Sequence, residues 1–202
     1  MERRSYPSTL RAIALCLAAS IAACDEGRRP SPQAGAGETL RALSSIERLI
    51  DAGKADEALR AAESLAKAAP GDAMVAEMLG RARIAAARPA TEVAEAYIAA
   101  ARLAPDSPGL QGAAGMMASQ AGRAAEALRL FEQAEALEPG NPQHALMQAR
   151  LLLGESRIEQ ALAASERALR LAPLDPTVLL CVARCRLASG DAQACAETSR
   201  AA

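Results

Sequence analysis

Four prolines, Pro70, Pro105, Pro139 and Pro173, follow one another at spacings of 35, 34 and 34, and each ends a similar apolar phrase. The phrases run through Glu57-Ala58-Leu59, Glu95-Ala96-Tyr97, Glu126-Ala127-Leu128 and Gln160-Ala161-Leu162, the second slightly shifted. A fixed period of this length marks a chain built from one supersecondary unit, stacked because no single unit can bury its own apolar side. Each proline pushes the residue before it out of the helical region. Asp72, Asn141 and Asp175 then stand where a polar side chain can cap the next helix.

Composition sets the type of element. Of 202 residues, 51% are apolar, yet only 1% are aromatic and 53 are alanine. Alanine is the strongest helix former and a poor strand former. The period and the alanines together predict an all-α chain of ten helices in pairs: 38–52 with 55–68, 72–87 with 90–103, 107–120 with 123–137, 141–154 with 157–171, and 175–188 with 191–201. The glycines around Gly109–Gly115 make 107–120 the weakest of these. A net charge of −1 supplies no field for nucleic acid, and base-stacking aromatics are scarce.

A unit of this period with small residues in both helices resembles the tetratricopeptide repeat. Residues 108–141 carry the likeness best: Gly115 at the small position of the first helix, Ala127, Phe131 and Ala134 in the second, and Pro139 at the end. Leu79-Gly80 repeats the pattern one unit earlier, Ala58 and Ala62 serve the first unit, and Ala161 and Ala168 the fourth. Three features depart from it. No helix opens with Trp, Ser165 takes the slot of Phe131, and one extra residue falls near Arg88-Pro89-Ala90. The resemblance covers residues 38–202 and implies a tetratricopeptide α-solenoid of about five hairpins, the last one short.

The first residues read differently. Arg3, Arg4 and Arg11 precede an uncharged apolar run from Ala12 to Ala23, too short to span a bilayer and suited to an export signal. The run closes Ile21-Ala22-Ala23-Cys24, which resembles the bacterial lipobox. That resemblance implies cleavage after Ala23, acylation of Cys24, and a periplasm-facing lipoprotein on the inner or outer membrane. Asp25 tilts the choice to the inner membrane. Residues 24–37 are rich in Gly, Pro and polar side chains, so they read as a tether with a reach of about 20 Å.

Chemistry-bearing residues are sparse. His144 is the single histidine and reads as a surface residue. Ser44, Ser45 and Ser119 have no base partner in sequence, and Met116-Met117 reads as packing. No cofactor and no metal are expected, and no catalytic residues. Cys181 and Cys185 share a helix face. Cys185 and Cys195 stand equally far on either side of Gly190, level on facing helices. A Cys185–Cys195 disulfide is one expectation there, and three buried small side chains the other.

The repeat resemblance also implies a concave groove lined by the first helix of each pair. By position it receives Leu43, Glu47, Glu77, Arg81, Met116, Gln120, Leu146, Arg150 and Arg184. The Lys and Asn residues with which the family clamps chaperone C-termini are missing. Arg81, Arg150 and Arg184 remain suited to an acidic or C-terminal segment. The function expected is a non-enzymatic scaffold that docks envelope proteins in this groove and reaches the membrane through Cys24. Pilus or secretin assembly, outer-membrane assembly and exopolysaccharide export are all compatible settings. The alternatives are an accessory subunit of an envelope enzyme complex, or a cytosolic adaptor whose N-terminus is not an export signal.

Overall fold

The computed structural model describes residues 36–190. Among them are nine helices and no strand: α1 Ala36–Asp51, α2 Ala55–Ala68, α3 Ala73–Ala85, α4 Ala90–Leu103, α5 Pro108–Gln120, α6 Ala124–Leu137, α7 Pro142–Gly154, α8 Ile158–Leu171 and α9 Pro176–Ala188. They form four hairpins and the first helix of a fifth. The odd-numbered helices are called A helices below, and the even-numbered ones B helices. The export signal, Cys24, most of the tether, Cys195 and the tenth helix expected at 191–201 lie outside the described residues. Helix α1 starts at Ala36, inside the stretch expected to be tether.

Each hairpin is punctuated by the same local devices. The A helices from α3 onward open with a side-chain cap. Asp72 accepts from the amides of Met74 and Val75, Asn141 from Gln143, and Asp175 from Thr177 and Val178. Ser107, not anticipated as a cap, accepts from Leu110. B helices have no side-chain cap at their starts. They carry acidic residues in the first turn instead, such as Glu92 and Glu126, which suits the positive end of the helix dipole. B helices end directly before the periodic prolines. Ala69, Ala104, Glu138 and Ala172 leave the helical region with φ between −127° and −138°, as a following proline requires.

The turn from A to B helix uses a left-handed residue. Gly53, Ala87, Gly122, Ser156 and Gly190 all have positive φ, from 54° at Ala87 to 86° at Gly190. At the first four, the next residue donates its amide back to a carbonyl in the last turn of the A helix: Lys54 to Leu49, Arg88 to Arg83, Arg123 to Ala118, and Arg157 to Leu152. This closes the A helix with satisfied carbonyls. The left-handed positions recur at the period of the prolines, with the one longer step running from Ala87 to Gly122. Between this position and the B helix lie Arg88 and Pro89 in the second hairpin, but a single residue in the first, third and fourth. The extra residue therefore sits where the sequence placed it.

Packing follows size complementarity between the helices of a hairpin. A Cβ built on Gly80 would lie 2.6 Å from the Tyr97 ring, and one on Gly115 would lie 2.8 Å from the Phe131 ring. The missing side chains of α3 and α5 are the space that the aromatic rings of α4 and α6 occupy. That contact explains why α5 forms despite its glycines: ring burial against Gly115 outweighs a helix penalty of about 1 kcal/mol for a glycine. In the fourth hairpin the same two positions are Ala149 and Ser165, both buried. Neighbouring helices touch along the whole stack, and A helices also touch the next A helix at α1–α3, α5–α7 and α7–α9. The backbones of α3 and α5 do not approach as closely, although Ala73, Ala76 and Ile84 of α3 pack against the core cluster that α5 shares. This wider spacing falls beside the extra residue of the second hairpin.

Candidate functional site

The A-helix face carries different charges at its two ends. At the first end, Arg81 of α3 donates to Glu47 of α1 at 2.8 Å, with both side chains partly exposed. Glu77 lies beside them. Burial pushes its carboxyl above the usual carboxylate range; Arg81 opposes this and Glu47 adds to it. Burial also raises the Tyr97 hydroxyl, which feels the same Glu77 and Arg81. Two carboxylates and one guanidinium thus form a closed group.

The second end is open. A cleft of about 360 Å³ runs between α7 and α9, lined by Arg150, Leu153, Gly154, Thr177, Leu180, Cys181 and Arg184. Arg150 and Arg184 are exposed. Neither has an ion-pair partner among the described residues. Leu180 is 59% exposed, so the cleft offers an apolar surface beside its charges. Cys181 and Cys185 are both buried. Cys181 is held up as a thiol by its hydrogen bond to Cys185 and by burial, with Arg150 and Arg184 pulling the other way. Cys185 is drawn down by the same bond, against its burial. No group of three or more metal-ligating side chains occurs among the described residues.

The groove residues expected from sequence are therefore sorted into three sets. Glu47, Glu77 and Arg81 meet at one end, and Arg150 and Arg184 line one cleft at the other. Met116 packs half-buried against the central core, and Gln120 is exposed in the last turn of α5. Leu43 and Leu146 are corrections: they are 5% and 0% exposed and belong to the core, not the groove surface. Each packs into a cluster shared with the next hairpin, where apolar side chains are removed from water. The Cys185–Cys195 pairing falls partly outside the described residues.

His144 is a further correction. It is 7% exposed rather than on the surface. Its ring lies over Gly112 of α5, where a Cβ would come within 3.4 Å, and its Nε2 is 3.2 Å from a Glu138 carboxylate oxygen. A residue without a side chain makes the space, and the carboxylate satisfies the ring nitrogen. Asn141 donates to the same Glu138, and that bond together with His144 holds its carboxyl below the usual range, against partial burial.

Sequence reasoning also missed a polar group that joins α6, α7 and α8. Arg167 grips Glu135 at 2.9 and 3.2 Å and donates to Gln148, whose amide nitrogen donates to Glu135 at 2.7 Å. Burial would raise Glu135, but the Arg167 and Gln148 bonds overcome it and hold the carboxyl low. The spacing of Glu135 and Arg167, close to one repeat, was the available signal. On the same flank, the Gln111 amide donates to the carbonyls of Ala101 and Pro105. Its oxygen, buried and without a partner among the described residues, belongs to a side chain lining a small cleft of about 190 Å³.

No family model matches the chain, and no curated protein matches its sequence. Solved structures do. The fold resembles MamA. The crystal structure of MamA protein aligns with a TM-score of 0.73 at 15% identity, over 81% of this chain and 88% of that one. MamA 41-end from Desulfovibrio magneticus RS-1 gives 0.70 at 17%, over 80% and 91%. MamA MSR-1 C2 gives 0.66 at 20%, over 81% and 94%. At these identities the likeness concerns the fold alone, and it spans nearly the full MamA chains. No described helix is long and apolar enough to cross a membrane.

Proposed function

We propose that the chain is a non-enzymatic scaffold of the bacterial envelope, anchored through an acylated Cys24, that docks partner proteins on its A-helix face. The observation that carries the docking half is the α7–α9 cleft, where two guanidiniums without an ion-pair partner among the described residues flank exposed Leu180. Charged side chains beside an uncovered apolar surface suit a protein partner. The MamA-like solenoid fold supports the reading, since stacked hairpins present long continuous faces. The anchoring half rests on the Ile21-Ala22-Ala23-Cys24 sequence and its apolar lead. A tether would hold the solenoid close to membrane machinery and raise its effective concentration there.

The two halves have separate tests. In the native host, an alkyne fatty-acid analogue is expected to label the chain, and Cys24→Ser to abolish the label and release the protein from membranes. An unlabelled wild-type chain that keeps the segment from Met1 to Ala23 overturns the anchor. For docking, Leu180→Asp is expected to reduce the envelope proteins recovered with the tagged chain. Unchanged recovery overturns docking at this cleft.

A further inference from the structure

We infer that the Arg150–Arg184 cleft takes a side-chain carboxylate from an acidic stretch of the partner, seated between the two guanidiniums as Glu47 is seated against Arg81. This rests on the scaffold reading and narrows it to one partner chemistry. Glu47, Arg81, Met116, Arg150 and Arg184 recur at the repeat period, so they hold one position on successive A helices. At the first step a carboxylate and a guanidinium meet at 2.8 Å. The separation of touching A helices is thus one that a single ion pair spans. Helices α7 and α9 touch in the same way, and the same step there carries arginine on both sides. Two like charges so placed repel, and an anion between them converts repulsion into two attractions. Planar guanidiniums also match a carboxylate in two-point geometry.

The surroundings favour a side chain over a chain terminus. The internal example, Glu47, carries its carboxylate on an aliphatic stem. The cleft offers Leu153 and Leu180 for such a stem and for an aliphatic neighbour. Among the described residues, no amide side chain lines it to bind the backbone of a chain terminus. Its volume of about 360 Å³ is at the small end for ligand pockets, enough for one or two side chains of an extended segment.

The test uses the full chain and a fluorescein-labelled peptide of alternating Glu and Leu, acetylated and amidated, read by anisotropy at low salt. A matched Gln–Leu peptide is made both amidated and with a free carboxylate. The Glu peptide is expected to bind at least tenfold more tightly than the amidated Gln peptide. Arg150→Glu and Arg184→Glu should each remove that advantage, with helix content unchanged by circular dichroism. Arg170→Glu, an exposed residue on α8, should leave it intact and so controls for net charge. Equal binding of the Glu and Gln peptides overturns the inference. So does an equal loss with Arg170→Glu, or a gain in affinity from the free terminal carboxylate alone. If the Gln peptide binds and Leu180→Asp abolishes it, the docking face stands and the acidic requirement falls. If no peptide binds, docking at this cleft falls with it.

Discussion

The two ends of the A-helix face fill one repeat position in opposite ways. On α1 and α3 the position carries Glu47 and Arg81, which neutralise each other at 2.8 Å. On α7 and α9 it carries Arg150 and Arg184, which line one cleft and have no ion-pair partner among the described residues. The backbone frame is alike at both ends, so the difference lies in side-chain charge and not in fold. A repeat array can therefore silence one rung internally and leave another for a partner. The cores beneath differ too: aromatic rings fill the glycine spaces of the second and third hairpins, whereas the fourth has Ala149 and Ser165.

The largest expected effect breaks the comparison at the level of the core. Phe131→Ala should cost about 3–5 kcal/mol, because the ring is buried and no side chain on Gly115 can follow it inward. Ser165→Ala, at the matching position of the fourth hairpin, should cost about 1 kcal/mol or less, the value of its hydroxyl bond to the Leu162 carbonyl. Urea denaturation checks both. Equal losses would mean that the fourth hairpin relies on this position as much as the third does. In the opposite sense, Gly115→Ala should destabilise by about 1–3 kcal/mol through overpacking, despite its better helix propensity.

The next effect sharpens the comparison at the surface. Arg150→Met leaves one guanidinium in the cleft, whereas Arg150→Glu rebuilds the Glu47–Arg81 arrangement with Arg184. If internal pairing is what silences a rung, the Glu variant should bind the Glu–Leu peptide about tenfold more weakly than the Met variant, roughly 1.4 kcal/mol. Equal losses would mean that only the number of arginines matters.

Glu77 at the first end and the Glu135 and Glu138 carboxyls of the α6 hairpin should also respond oppositely to acid. Glu77 is raised in the folded protein by burial, so it binds its proton more tightly folded than unfolded. Its contribution to stability is lost as pH rises from the ordinary carboxylate range through its folded value. Glu135 and Glu138 are lowered, Glu135 by the Arg167 and Gln148 bonds against burial and Glu138 by Asn141 and His144. Their contributions are present above the ordinary carboxylate range and lost as pH falls through the folded values. Stability measured from pH 7 to pH 3 should therefore fall less steeply in Glu135→Gln than in wild type, and more steeply in Glu77→Gln. A wild-type slope in both variants would place these shifts elsewhere.

Much of the frame was legible because it is set by local chemistry. Prolines that stop B helices, Asp and Asn caps, and alanine-rich stripes act over short stretches of chain, so the described helices begin and end close to their expected bounds. What stayed hidden depends on contacts between hairpins. His144 reads as exposed until Gly112, almost one repeat earlier, is seen beneath its ring. Arg81 reads as a free groove cation until Glu47, one repeat away, is seen to meet it. Leu43 and Leu146 share a helix face with groove residues but turn toward the next hairpin. The stack's rotation from one hairpin to the next decides such matters, and no single repeat encodes it.

The smallest effect asks whether the turns at the two ends are equivalent. The left-handed position is glycine at Gly53 and Gly122 but Ala87 and Ser156 in the second and fourth hairpins, with φ of 54° and 58° at those two. An L side chain in this region costs about 1–2 kcal/mol. Glycine avoids that cost but adds freedom to the unfolded chain. Ala87→Gly and Ser156→Gly should therefore each stabilise by about 0.5–1 kcal/mol, while Gly122→Ala should destabilise by a similar amount. Urea denaturation reads all three. If Ser156→Gly stabilises and Ala87→Gly does not, the longer turn at Arg88-Pro89 has already fixed the chain direction through its proline. The second hairpin then holds its geometry by a different device from the rest. Equal gains at both sites would show that the left-handed residue plays the same part in every turn, whatever follows it.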